Sequence, residues 1–371
     1  MEKSIYCSMI HGGLNLNFKL SPTMAQECCL RNEYKSVEIS TNFWNSEKFR
    51  PLRELNISNQ WSPGCHSCQR LESAGLPSFR TGSNEGLGIY EKTNLSGPAR
   101  IDLMFDISCN LACRSCGPWS STFWQKHLKE NQMWDKPIFT PRNKEEVIDA
   151  LSKLDLSNLK MLVFCGGETL MGQEYWDVAE WLVDNIPDAK NNLTLCFQTN
   201  GTQPVHPRNF QTIEKCFLVK LHVSLDGIED QFEYLRWPAK WDDVVENLMN
   251  LRKDLPSNVM FLIEETISIF NLKTMSRLDQ WVQQNFQTNR EGDVVNHTRH
   301  MAHGFFKLYA LTDDYVKSLP LNALKLVPHD FKENPSIIKS ALNEIQKFDL
   351  IRNQSFDKTF PEVAQYYSKF R

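Results

Sequence analysis

The sequence lacks any apolar run approaching the roughly 18–20 residues a membrane-spanning helix needs, so no transmembrane segment is expected. Its first stretch, MEKSIYCSMIHGG, carries an acid at Glu2 and no apolar core, so a cleaved secretion signal is not expected either. Neither sign of charge dominates. The 41 Lys+Arg against 45 Asp+Glu leave a formal net charge of −4, which argues against a general polyanion binder. No internal repeat or low-complexity tract is present, and 41% hydrophobic with 23% charged residues excludes a disordered or fibrous chain. A cytoplasmic protein is expected, with no membrane partner and no clear nucleic-acid face. At 371 residues, the length fits about two or three domains, or one large α/β unit with an appendage.

What the sequence does have is cysteine. There are eleven: Cys7, Cys28, Cys29, Cys65, Cys68, Cys109, Cys113, Cys116, Cys165, Cys196 and Cys216. In a reducing compartment these do not form a disulfide framework, and an odd count does not close into pairs. Clustered thiols there read as metal or cluster ligands. Five precede position 70 and three fall between 109 and 116, which suggests two separate sites. Cys165, Cys196 and Cys216 stand alone and read as buried small hydrophobes.

Residues 1–97 are polar and rich in loop-forming residues. From Arg100 onward, short apolar runs alternate with amphipathic stretches. Strands are expected near 100–107, 161–165, 193–198, 218–225 and 259–268. Helices are expected near 120–129, 144–154, 173–185, 241–254 and 271–286. Strand–helix alternation implies parallel βαβ units with right-handed crossovers, and chemistry at the strands' carboxyl ends. The fold class is α/β, a partial (β/α)6-type parallel barrel behind a small N-terminal cysteine-rich module. The expected division is 1–97 for that module, 98–290 for the barrel and 291–371 for an extension closing or covering it. The extension is expected to hold a strand at 305–309, a helix at 336–348 and an aromatic terminal segment at 363–370. Trp119, Trp124, Trp134 and Trp176 read as core residues. His297, His300 and His303 read as a solvated polar loop rather than a metal site.

The strongest signal is Cys109-Asn110-Leu111-Ala112-Cys113-Arg114-Ser115-Cys116, a C-x₃-C-x₂-C run directly after an expected strand. Three thiolates on one loop can each ligate one iron of a [4Fe–4S] cluster, leaving the fourth iron open for chemistry. A structural zinc site completed by a distant Cys or His is the alternative. In the frame DISCNLACRSC, these cysteines resemble the signature of the radical S-adenosylmethionine (radical SAM) superfamily. Many members have an aromatic residue before the last cysteine, where this chain has Ser115. The resemblance implies a cluster on Cys109, Cys113 and Cys116 whose fourth iron is chelated by the amino and carboxylate groups of SAM. It further implies reductive cleavage of SAM to a 5′-deoxyadenosyl radical that abstracts hydrogen from substrate, fed by a one-electron reductant of flavodoxin or ferredoxin type.

Further positions follow in order. Gly166-Gly167-Glu168 ends an expected strand and is similar to the family's GGE motif, which contacts the methionyl amine of SAM. Glycine permits close backbone approach, and a carboxylate suits an ammonium group. Gln198-Thr199-Asn200-Gly201-Thr202 and Val223-Ser224-Leu225-Asp226-Gly227 resemble strand ends that line the SAM site, giving Thr199, Asn200, Ser224 and Asp226 as contacts. Arg236 resembles an arginine that pairs with the methionyl carboxylate, with a surface salt bridge as its alternative. Thr266, Ser268 and Asn271 stand as adenosine contacts. The resemblance covers about Arg100 to Asn271.

Cys65-His66-Ser67-Cys68 is a C-x₂-C knuckle behind Pro63-Gly64, a turn that can aim two thiolates at one metal. With Cys7 and one of Cys28 or Cys29, four ligands are available. Adjacent side chains point apart, so one of the pair is spare, and Cys28 is the expected ligand. The stretch from Glu27 to Glu72, including FWNSEKFRPLR, resembles the auxiliary-cluster segments of twitch and SPASM radical SAM enzymes, although those usually follow the barrel. An auxiliary [4Fe–4S] cluster is implied, and a zinc ribbon stays open. The expected substrate is a peptide or protein, or a small polar metabolite. Action on RNA or a nucleotide is one alternative, and a non-catalytic zinc or Fe–S protein is another. No residue that completes the substrate chemistry can be named from the sequence.

Overall fold

The computed structural model describes residues 4–18, 24–30, 35–36, 39–40, 43–73, 75, 78–87, 95–286, 296–302 and 306–371. The strands in chain order are β1 (Gly13–Asn17), β2 (Met24–Gln26), β3 (Lys35–Ser36), β4 (Arg100–Met104), β5 (Met161–Phe164), β6 (Thr194–Thr199), β7 (Leu218–Ser224), β8 (Val259–Ile267) and β9 (Asn296–Met301). The principal helices are α1 (Arg50–Ile57), α2 (His66–Ser73), α3 (Phe79–Leu87), α4 (Thr122–Glu130), α5 (Lys144–Ser152), α6 (Glu174–Asn185), α7 (Glu229–Leu235), α8 (Trp241–Asp254), α9 (Met275–Phe286) and α10 (Pro335–Arg352). This is a mostly parallel sheet with helices, the α/β class expected of a partial barrel.

The chain folds as two compact units. The first comprises 1–108, 140–198 and 206–220, and the second 109–139, 199–205 and 221–371. In the first, the strand order is β3-β2-β1-β4-β5-β6, with β7 beginning beside β6. Pairing is parallel from β1 through β4 and β5 to β6, and β1–β2 and β2–β3 are antiparallel. Register explains its packing, because alternate residues face opposite sides of a sheet. One row runs Leu14, Ile101, Leu162, Leu195, and the next runs Leu16, Leu103, Phe164, Phe197. On that side α6 lays Trp176 on Phe197 at 4.4 Å between ring centroids and Tyr175 edge-on to Phe164. The intervening row, Gln26, Asn15, Asp102, Val163, Cys196, is polar on the earlier strands.

In the second unit, the end of β7 continues to β8 and β9, and β8–β9 pairing is parallel. Its core joins Ile267, Phe270, Tyr315, Ile338, Phe360 and Tyr367, so the C-terminal helices cover the end of β8. Asn334 caps α10, accepting from the amides of Ser336 and Ile337, with Pro335 at its first position.

The strands expected from Arg100 to Ser268 are present, four of them ending earlier than expected and β6 running one residue further, to Thr199. β1, β2 and α1–α3 were not expected, because residues 1–97 read as loop; their apolar residues are few and widely spaced. The strand expected at 305–309 is absent over its described part. Leu308–Ala310 forms a 3-10 turn, and the last strand lies earlier, at Asn296–Met301. His303 and Phe305 lie outside the described residues, as do the side chains of His297 and His300. Trp124 and Trp176 are buried as expected, but Trp119 is 65% exposed and is not a core residue. No described helix is long and apolar enough to cross a membrane.

Candidate functional site

The second unit carries Cys109, Cys113 and Cys116 on the loop before α4. The loop is held at both ends by backbone. The amides of Ala112 and Arg114 donate to the carbonyls of Trp237 and Leu235, at 2.8 and 2.7 Å. On the other side, Ser121 caps α4 and also donates its hydroxyl to the Leu111 carbonyl at 2.6 Å. Trp124 Nε1 donates to the Cys113 carbonyl at 2.9 Å. The three thiols therefore sit on a rigid frame.

Of the three sulfurs, that of Cys109 has N–H donors turned towards it. Cys109 Sγ accepts from the Leu111 amide at 3.5 Å and from Asn200 Nδ2 at 3.8 Å. Asn200 is fixed in turn by Asn110 and Thr202, and Thr199 Oγ1 accepts from the Gly201 amide. Burial pushes the Cys113 thiol well up. The Arg236 guanidinium opposes that, while Cys109 and Cys116 add to it. These groups therefore feel one another's charge, and binding to iron would stabilise the thiolate form against the burial penalty.

Beside this loop lies a buried polar group. Arg236 Nη2 and Asp226 Oδ1 form an ion pair at 2.9 Å, and both side chains are buried. Asp226 also accepts from the Thr266 amide at 2.8 Å and from Ser115 Oγ at 3.3 Å. Asn271 Nδ2 donates to the Asp226 carbonyl at 3.0 Å. Arg236 is therefore not a surface salt bridge; it faces a buried aspartate, and its Nε has no partner. Ser115, Asp226, Thr266, Ser268, Phe270 and Phe306 line a cavity of about 200 Å³. Ser224 ends β7 and is half-buried; the next amide, Leu225, bonds the Glu264 carbonyl.

The first unit holds the remaining candidates. Gly166 and Gly167 have φ of 94° and 54°, a region other residues adopt with strain. A Cβ on Gly166 would stand 2.5 Å from the Asp106 carbonyl oxygen, and one on Gly167 would stand 2.2 Å from that of Ser108. Both glycines are thus required by the close approach of the segment after β4. Glu168 is 1% exposed; its amide donates to Ser108 and its Oε1 accepts from the Leu170 amide at 2.9 Å. The Tyr175 hydroxyl stands 3.1–3.2 Å from the carbonyls of Asp106, Cys165 and Gly166, to one of which it donates.

The N-terminal cysteines also come together in this unit. Cys7, Cys28, Cys65 and Cys68 line a cavity of about 450 Å³, although they come from separated points of the chain. Cys7 precedes a short turn, Cys65 precedes α2, and Cys68 lies in its first turn. Burial pushes the Cys7 thiol up to about 11, and the charges of Cys65 and Cys68 add to this. Cys28 is raised by its neighbour Cys29, by burial and by Cys7. Cys29 is exposed and does not line the cavity. Arg80 lines it and pairs with Glu72, and it senses the charges of Cys7 and Cys68. None of the cysteines forms a disulfide. Among the described residues, no group of three or more His, Cys, Asp or Glu lies close enough to hold a single metal ion. A cubane cluster asks for wider spacing, since each thiolate takes its own iron.

Asn110, Thr122, whose Oγ1 accepts from the Cys109 amide at 3.2 Å, and Trp237 hold this site and were not named from the sequence, and Trp124 was read only as a core residue. Asn110 lies inside the motif, which is the one signal that could have found it.

The profile of the radical SAM superfamily matches residues 107–270. The match covers less than half of the chain and spans the cysteine loop and β5 through β8. That family uses SAM and a [4Fe–4S] cluster. No curated protein matches the sequence. Similar solved structures include SuiB of Streptococcus suis bound to S-adenosylmethionine, at 12% identity and TM-score 0.38, covering 87% of this chain and 64% of that one. Hexahistidine-tagged anSMEcpe with bound AdoMet is 14% identical with TM-score 0.37, covering 69% and 61%. SuiB bound to the precursor peptide SuiA is 9% identical with TM-score 0.38, covering 96% and 75%. This chain therefore spans less than two thirds of the length of the first two.

Proposed function

We propose that this chain is a radical SAM enzyme that carries two [4Fe–4S] clusters and modifies a peptide or protein substrate. The first would be held by Cys109, Cys113 and Cys116, and the second by Cys7, Cys28, Cys65 and Cys68. The observation that carries the two-cluster reading is the gathering of those four cysteines around one cavity. Cys109, Cys113 and Cys116 would hold the cluster, and SAM bound there would supply one-electron reductive cleavage chemistry. The chain's own part is placement and exclusion of water. The N–H groups on Cys109 Sγ would stabilise its thiolate form. Asp226, with Ser115, Thr266 and Ser268 around their cavity, presents acceptors and hydroxyls for a ribose. Arg236 would offer its guanidinium to the methionyl carboxylate, and Thr199, Asn200 and Ser224 complete the strand-end set. By resemblance, the methionyl amine falls to Gly166, Gly167 and Glu168. The reductant would be a flavodoxin or ferredoxin, and the compartment the cytoplasm. The peptide reading rests on the likeness of the segment from Glu27 to Glu72 to auxiliary-cluster modules. We take residues 1–97 as that module, 98–290 as the barrel and 291–371 as the extension.

The test is iron, sulfide and zinc per chain after anaerobic reconstitution, with and without the triple substitution Cys109→Ala, Cys113→Ala, Cys116→Ala. About eight irons falling to about four, with loss of 5′-deoxyadenosine formation, is the expected result. About four falling to none, with zinc retained, would make the N-terminal site structural.

A further inference from the structure

Arg352 ends α10 in the second unit and is 6% exposed, yet no carboxylate pairs with it among the described residues. Its guanidinium carbon stands 4.5 Å from the ring centre of Trp124 and 4.9 Å from those of Trp237 and Phe348. Its Nε reaches His127 Nε2 at 3.4 Å, and Nη1 and Nη2 have no hydrogen-bond partner. His127 is neutral at physiological pH, since burial and then the Arg352 charge hold its pKa down to about 4, so it accepts a hydrogen bond but brings no counter-charge. Asp349, whose charge reaches Arg352, is engaged by Arg114 and by the Tyr234 hydroxyl. Burial and then the charge of Arg114 press the Arg352 pKa down to about 9, so at neutral pH it stays a cation. Three aromatic faces, the end of α10 and the charge of Asp349, which Arg114 shares, offset part of its desolvation, but two donors are left unanswered among the described residues.

The aromatic rings that cage Arg352 are the ones that hold the cysteine loop. Trp124 donates to the Cys113 carbonyl, and the Trp237 carbonyl accepts from the Ala112 amide. The charge of a Cys113 thiolate also reaches Arg352. A [4Fe–4S] core with three thiolates carries a net negative charge that grows by one on reduction. We propose that Arg352 is the built-in counter-cation of the cluster on Cys109, Cys113 and Cys116, a positioning residue that raises its reduction potential. The inference rests on the cluster assignment above. It is electrostatic: a cation behind a ring of low polarity favours the more negative, reduced state.

The measurement is an EPR-monitored potentiometric titration of the full, reconstituted chain, following the signal lost in the triple Ala variant. Arg352→Met should leave iron and sulfide content near native and lower the reduced fraction at a fixed poise by about tenfold, or ~59 mV for one electron. Arg352→Lys, which keeps the charge, should stay within about threefold of native. His127→Asp, which neutralises the cation in place, should shift in the same direction as Arg352→Met and keeps the test open if that variant takes up no iron. A native midpoint in a cluster-replete Arg352→Met or His127→Asp protein overturns the proposal, as does a Lys variant shifted as far as Met. A native chain whose triad binds no iron overturns the cluster assignment and this inference with it.

Discussion

The two cysteine sets solve the same problem in opposite ways. Cys109, Cys113 and Cys116 come from one loop, whose backbone is bonded to Trp237 and Leu235 on one side and to Ser121 and Trp124 on the other. Their frame is built of hydrogen bonds in which the thiols take no part. Cys7, Cys28 and the Cys65–Cys68 knuckle come from three separate segments, and their cavity is lined mostly by apolar side chains such as Ile5, Ile10 and Phe79. Bringing those segments together costs loop-closure entropy that a bound metal would offset. The loop is thus preorganised, and the cavity is the part whose order depends most on being filled.

The largest expected effect breaks the pair apart. Cys65→Ser with Cys68→Ser should remove about four irons and leave the other four in place. The variant should also become more sensitive to proteolysis within residues 1–87, because metal binding and folding are coupled there. Iron analysis alongside limited digestion checks both. Loss of all iron would mean that the two sets are not independent and that the loop's frame alone does not secure its cluster.

The next effect sharpens the loop side. Arg236→Met keeps the length of the side chain but leaves Asp226 buried without its cation. Breaking such a pair costs about 3–5 kcal/mol. The bonds from the Thr266 amide and Ser115 still answer part of the carboxylate, so the lower end is expected. Urea denaturation of the metal-free protein would read it. An unchanged midpoint would show that the loop's frame stands on backbone bonds alone.

The same contrast between local and assembled features explains what the sequence made legible. The triad was plain because its spacing is local, and the glycines of GGE were plain because two adjacent positions must take positive φ against Asp106 and Ser108. β5 could be read because a buried parallel strand is a short, continuous apolar run, and β7 because Val219, Leu221 and Val223 alternate with less buried residues. β1 could not. GLNLN alternates leucine with asparagine, and its partner β4 lies far along the chain. Arg352 gave no signal at all, because a single arginine at the end of a helix is ordinary in sequence. What makes it unusual is that no acid among the described residues pairs with it and two of its donors have no partner, which only the assembled second unit shows.

The smallest effect separates two adjacent thiols. Cys28 is buried and lines the cavity, whereas Cys29 is exposed and does not line it. Cys28→Ser removes one of four ligands and should lower the iron held at the N-terminal site, most visibly after gel filtration strips weakly held metal. Cys29→Ser should leave iron content and 5′-deoxyadenosine formation unchanged. It should also relieve Cys28 of the neighbour that contributes most to holding its thiol protonated, so reconstitution at neutral pH should be no slower than native. If Cys29→Ser loses iron and Cys28→Ser keeps it, the ligand assignment reverses. The cavity would then have to reorganise on binding, which is the behaviour the preorganised loop does not need.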